Sequence, residues 1–169
     1  MVKIYYDKDV KTTILKNKTV AIIGYGIQGT AQAMNLRDSG INVIIGCREG
    51  NKSRNLAKKD GFKVYSYKEA ASRADVIQML VPDMVQLSVY KTAIKPALKN
   101  GKALGFAHGF NIHFKQIVSP PNVDVFMVAP KSPGKRVREM YQANFGVPSL
   151  IAIHQDYTGN ATSIALEFA

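Results

Sequence analysis

Gly24, Gly26 and Gly29 are spaced G-x-G-x-x-G in the segment GYGIQG, directly after the apolar run 19–23 and before a stretch with helical spacing. Alone, such glycines make an ordinary turn. Between a strand and a helix they suit a diphosphate: Gly24 permits the tight turn, Gly26 lets the backbone approach a pyrophosphate, and Gly29 lets helix and strand pack closely. The helix start adds unpaired N–H groups and the positive end of its dipole. The strand–helix–strand unit 19–46 takes 28 residues, close to the size of a dinucleotide-binding βαβ unit.

The choice of dinucleotide is read at the end of the second strand. NAD-binding chains place an acid there for the ribose hydroxyls; NADP-binding chains place cations and hydroxyls for a 2′-phosphate. Here the residues are Gly46-Cys47-Arg48-Glu49-Gly50-Asn51-Lys52-Ser53-Arg54. Arg48 comes soonest after the strand, and a guanidinium holds phosphate through paired hydrogen bonds. Lys52, Ser53 and Arg54 open the next helix, whose amides add donors. Glu49 competes, because an NAD-selecting acid belongs about 20 residues past the fingerprint. The balance favours NADPH over NADH, with solvated loop charges as the plainer alternative.

His108 is the third candidate group. It stands just beyond the run 103–107 and before Gly109, where open α/β sheets build their sites. An imidazole there can move protons near neutral pH; a histidine that only bonds its own loop is the competing reading. His113 and His154 read as structural. Cys47 is the single cysteine, so neither an intrachain disulfide nor a zinc site is built on cysteines.

These groups need a scaffold, and the chain alternates in the way that supplies one. Runs at 19–23, 42–45, 63–65, 76–81, 103–107, 123–129 and 149–154 read as strands. Between the first of them, Ile27, Ala31 and Met34 form one helical face with Leu36 beside them, and Ser39-Gly40 stops that helix. KSRNLAKKD and YKEAASRA read as the next helices, 84–93 and 158–168 as two more, while Pro120-Pro121 and the loop 130–134 break the pattern. Strands apolar on both faces imply an α/β, Rossmann-like, doubly wound and mostly parallel sheet with helices on both faces.

Composition narrows the class. The 169 residues suit one domain, and 46% apolar with 21% charged residues exclude a disordered, collagenous or coiled-coil chain. No apolar run approaches the roughly 18 residues of a membrane-spanning helix, and MVKIYYDKDVK at the start is unlike a secretory signal. A cytoplasmic protein is expected. Lys and Arg number 23 against 12 Asp and Glu, a net charge of +11. The excess lies in the first two thirds as scattered single lysines, which reads as a solvated basic surface. No zinc-finger or RNA-recognition signature accompanies it.

With GYGIQG and Arg48, the segments VPDMVQ (81–86), GFAHGFNIHF (105–114), MVAPKSPG (127–134) and VPSLIAIHQDYTG make the chain resemble ketol-acid reductoisomerase over essentially its whole length. The resemblance implies an enzyme of valine, leucine and isoleucine synthesis. Such an enzyme rearranges 2-acetolactate or 2-aceto-2-hydroxybutyrate by alkyl migration and then reduces the 2-keto acid with NADPH, using two Mg²⁺ ions. By position it implies that Tyr25, Gly26, Ile27 and Gln28 line the pyrophosphate turn. Arg48, Asn51 and Ser53 would face the 2′-phosphate; Asp83, Met84, Val85 and Gln86 would lie along the cofactor; Gly134 would close over it. His108 matches the active-site histidine, and Lys131 would bring positive charge near the substrate. The chain departs from the family pattern at Ile27 (commonly small), Thr30 (histidine), Asn51 (serine), Met84 (an acid) and Ser132 (glycine), which bears on cofactor affinity rather than on membership.

The same resemblance implies that the metal carboxylates belong to a second, helical domain absent from this chain, leaving 1–169 as an N-terminal NADP-binding Rossmann domain. Asp124, Glu139, Asp156 and Glu167 are too scattered to hold Mg²⁺, so no metal residue is assigned. The expectation is a chain that binds NADPH without turnover, whose partner is a small keto or hydroxy acid and neither nucleic acid nor membrane. Homo-oligomers are expected only of the full-length protein. Two competing readings are another NADP-dependent oxidoreductase domain and a basic nucleic-acid-binding module.

Overall fold

The computed structural model describes residues 3–10 and 13–169. Strands β1 (Thr19–Ile23), β2 (Asn42–Gly46), β3 (Lys63–Tyr65), β4 (Val76–Met79), β5 (Ala103–Phe106), β6 (Asp124–Pro130) and β7 (Ser149–Gln155) form one sheet in the order β3-β2-β1-β4-β5-β6-β7. β1 to β6 run parallel, and β7 pairs antiparallel with β6 at one edge. The order reverses between β1 and β4, and at such a reversal an open sheet leaves a crevice beyond its carboxyl ends.

Helices α1 (Ile27–Asp38), α2 (Lys52–Lys59), α3 (Tyr67–Arg73), α4 (Asp83–Val89), α5 (Phe110–His113), α6 (Gly134–Gln142) and α7 (Ala161–Phe168) connect or flank the strands. Covering both faces is what makes the strands read as unbroken apolar runs. Ala21, Ile23, Ile77, Met79 and Leu104 pack toward α3 and α4 in one core. Val20, Ile22, Val43, Ile45 and Phe126 pack toward α1, α2 and α7 in the other. β7 alternates instead, with Ile151 and Ile153 against the second core and Leu150 outside, as an antiparallel edge strand does.

Several elements differ from the sequence reading. α1 buries Gly29, Ala31, Gln32, Ala33 and Leu36, whereas Ile27 is 76% exposed; it is the first helical residue and lies past the end of the sheet. α4 continues through a π turn, Tyr90–Ile94, and a 3-10 turn, Lys95–Ala97. α5 and α6 lie outside the helices expected from the sequence: α5 is one turn, and α6 buries only Gly134 and Val137. α7 begins at Ala161 because Thr158 is engaged elsewhere. Asp124, fully buried, accepts from Thr158 N at 2.9 Å and Thr158 Oγ1 at 2.6 Å.

Thr158→Val keeps the shape of this contact but leaves a buried carboxylate oxygen unpaired. It should cost about 2 kcal/mol, read as a fall in urea midpoint at unchanged slope; a loss below about 0.5 kcal/mol would contradict the assignment.

Candidate functional site

The glycine turn is shaped by what its residues lack. Gly24 has φ +101°, and a Cβ there would meet Val81 Cγ1 at 2.9 Å. A Cβ on Gly29 would lie 2.1 Å from Gly24 O, so α1 can rest this close to the turn only without one. Gly26 is the opposite case. It is exposed, nothing lies within 4 Å of its Cβ direction, and it begins α1 with no side-chain cap. The first amides of a 12-residue helix therefore face open space, the arrangement that receives an anion.

Tyr25 enters this turn through its main chain alone. Its ring is buried, edge-on to Phe62 at 5.7 Å, and its hydroxyl donates to Asp60 Oδ2 at 2.8 Å. Burial, reinforced by the Asp60 carboxylate, pushes the phenol well above its usual range. Tyr25 borders the cleft beside the turn, while its ring and hydroxyl serve as a buried anchor. Ile27 projects outward, so its bulk does not fill the turn.

At the end of β2, Arg48 and Glu49 are exposed, and Asn51 caps α2 by accepting from Ser53 N at 3.0 Å. Lys52 is exposed and Ser53 half-buried. Arg54 turns inward and donates to Cys47 O at 3.1 Å and Tyr65 O at 3.2 Å, tying β2 to β3. Of the cations near this strand end, Arg48 and Lys52 are exposed and make no side-chain hydrogen bond or ion pair among the described residues. The Cys47 thiol lies beneath, its pKa raised by burial.

Across the crevice, Met84 is 89% exposed and Val85 also faces out. Gln86 does not: it is 3% exposed and lies in a buried network. Its Nε2 donates to Val81 O and Asp83 Oδ1, both at 3.0 Å, and its Oε1 accepts from Asn111 Nδ2 at 2.9 Å. Asn111 also donates to Asp83 O at 3.1 Å. Gln86 is therefore an internal brace between α4 and α5 and not an open lining side chain. Sequence reading passed over Asn111, whose only signal was an amide inside GFAHGFNIHF.

The brace sets His108 beside Asp83. His108 Nδ1 accepts from Phe110 N at 3.2 Å and lies 3.8 Å from Asp83 Oδ2. In the neutral ring this leaves the proton on Nε2. The last wall comes from α6. A Cβ on Gly134 would fall 2.3 Å from Ile27 O, so this glycine packs directly on the start of α1. Arg138 binds Asp38 and Asn35, and its guanidinium holds the Asp38 carboxyl below the usual carboxylate range. Lys131 is exposed at the edge. A cleft of about 600 Å³ beside the turn is lined by Gly26, Ile27, Thr30, Leu56, Gly134 and Arg138.

Residues 14–169 match the family model described as acetohydroxy acid isomeroreductase, NADPH-binding domain. The chain is 61% identical over 169 residues to the ketol-acid reductoisomerase (NADP(+)) of Pyrococcus abyssi, covering all of this chain and 51% of that protein. The chain belongs to the acetohydroxy acid isomeroreductase family. Identity to the Pyrobaculum islandicum enzyme of the same name is 58%, again over 51% of its length. A solved NADH-preferring ketol-acid reductoisomerase from an uncultured archean matches with a TM-score of 0.95 at 52% identity, over 99% of this chain and 52% of that one. The chain thus spans about half the length of these reductoisomerases, and residues 14–169 correspond to the family's NADPH-binding domain.

The carboxylates found here do not form a site for the expected Mg²⁺ ions. Asp124 holds Thr158, Asp156 accepts from Ala161 N at 3.0 Å, and Glu139 lies between Lys135 and Arg136. Glu167 accepts from the amides of Thr13, Ile14 and Leu15, each at 2.8 Å. Among the described residues no group of three or more His, Cys, Asp and Glu converges. Likewise, no helix among them is long and apolar enough to cross a membrane.

The two central glycines should separate folding from binding. Gly26→Ala should cost less than about 1 kcal/mol of stability, because its Cβ meets nothing. Its effect should appear as at least about a tenfold weaker NADPH affinity by fluorescence titration. Gly29→Ala should cost about 3 kcal/mol or more. Equal stability losses in the two variants would contradict the geometry.

Proposed function

We propose that this chain forms the cofactor half of an NADPH-dependent ketol-acid reductoisomerase acting in the cytoplasm on 2-acetolactate or 2-aceto-2-hydroxybutyrate. The observation that carries the cofactor reading is the uncapped start of α1 beside the open Gly26, with Arg48 free at the end of β2. In this reading the amides of 26–28 hold the pyrophosphate. Arg48, the Nδ2 of Asn51 and the Ser53 hydroxyl hold the 2′-phosphate, and Met84 and Val85 cover the cofactor with apolar surface. When bound, NADPH supplies the reducing equivalents. His108 Nε2 holds the proton nearest the substrate side, and exposed Lys131 contributes positive charge for the acid's carboxylate. The two Mg²⁺ ions would be held by residues outside 1–169, because Asp124, Glu139, Asp156 and Glu167 are engaged in the fold and no ligand group converges among the described residues.

NADH is the competing cofactor, since a solved relative is described as NADH-preferring and Glu49 follows Arg48. Titrating the chain with NADPH and NADH decides between them. Arg48→Ala should lower the NADPH-to-NADH affinity ratio by about tenfold or more, the worth of charge-assisted hydrogen bonds; an unaltered ratio would reject Arg48 as the phosphate ligand. With Mg²⁺, NADPH and 2-acetolactate supplied, the 169-residue chain should show no turnover. Measurable NADPH oxidation dependent on 2-acetolactate would overturn the division of labour.

A further inference from the structure

Gln78 is the single polar residue of β4 and is fully buried, where an aliphatic side chain would suit the sheet better. The adjacent strand makes room for it. A Cβ on Gly105 would lie 2.0 Å from Gln78 Oε1 and 2.5 Å from the Phe126 ring. Two positions of the core are therefore given over to one amide.

That amide begins a line of three. Gln78 Nε2 donates to Gln32 Oε1 at 3.4 Å, Gln32 Nε2 to Gln28 Oε1 at 3.2 Å, and Gln28 Nε2 to the main-chain oxygen of Ser132 at 3.0 Å. Gln28 and Gln32 are one helical turn apart on the same side of α1. The line thus runs from the sheet interior, through α1, to the loop between β6 and α6. Its direction is set at the Ser132 end. A carbonyl oxygen only accepts, so Gln28 must present Nε2 to it and Oε1 to Gln32, and each amide behind follows. The surplus acceptor is driven to the inner end, where Gln78 Oε1 is buried without a partner. An orphaned buried oxygen is unfavourable, so packing does not account for this residue.

We propose that Gln32 and Gln78 are positioning residues whose amides hold the β6–α6 loop against the first turn of α1 and so set the mouth of the cofactor crevice. The proposal rests on the cofactor reading above. Gln28 touches the glycine turn, Ser132 lies between Lys131 and the Gly134 contact, and the line is the side-chain hydrogen-bonded link between them.

The test removes both inner amides, Gln32→Met with Gln78→Met. Replacing both partners of a buried bond by apolar groups of similar length is near neutral to folding. In the unliganded chain, amide exchange at 131–137 should speed up by about tenfold while β1 and β4 keep their protection. NADPH should then bind about fivefold more weakly. If the double variant does not fold, Gln32→Glu serves instead. A carboxylate still accepts from Gln78 but cannot donate, so Gln28 turns its amide and meets Ser132 oxygen to oxygen, with the same release expected. Loop exchange that is unchanged, or that rises only in step with the sheet, overturns the relay. A released loop with unaltered NADPH affinity overturns its bearing on the cofactor. A parent chain that fails to bind NADPH would instead reject the cofactor reading, and exchange would still decide the relay.

Discussion

The site depends on a helix that starts closer to a strand than any side chain would allow. Gly29 lies over the carbonyl of Gly24 with no room for a methyl group, and Gly24 itself is confined by Val81. Because α1 cannot retreat, its first amides stand at the carboxyl end of β1 without a cap. Donors fixed in this way spend little ordering entropy when a ligand arrives, the general source of affinity in a preorganised site.

Three neighbours keep that turn where it is. Tyr25 is locked beneath it by Asp60, Gly134 brings α6 onto Ile27, and Arg138 ties α6 to α1 through Asn35 and Asp38. On the other side of the crevice, Gln86 and Asn111 join the starts of α4 and α5 and fix the spacing of Asp83 and His108. One wall is held through Asp60 and the Arg138–Asp38 pair, the other through the uncharged amides of Gln86 and Asn111. Arg48, Lys52 and Lys131 face outward around the crevice, in keeping with a basic charge spread as single residues.

Much of this was legible in the residues because it follows from local constraints. Buried parallel strands must be apolar throughout, and a strand–GxGxxG–helix unit has few other uses, so the sheet and the turn could be read directly. What escaped was decided at long range. Tyr25 and Gln86 lie inside motifs expected to meet the cofactor, yet their side chains point inward to Asp60 and Asn111, which are far away in sequence. α6 is a short, mostly polar helix that buries only Gly134 and Val137, so its amphipathic period, with Val137, Met140 and Tyr141 on one side, is easily passed over beside the apolar elements. Gln78 was visible as an amide in an apolar strand, but its meaning needs Gln32 and Gly105 beside it.

In the proposed reading a dinucleotide diphosphate rests on the amides at the start of α1. Backbone ¹⁵N–¹H spectra of the labelled chain during NADPH titration test this directly. The largest shifts should fall on 26–29 and 48–53, with the β7 edge unmoved. Saturable shifts that leave 26–29 untouched would contradict it.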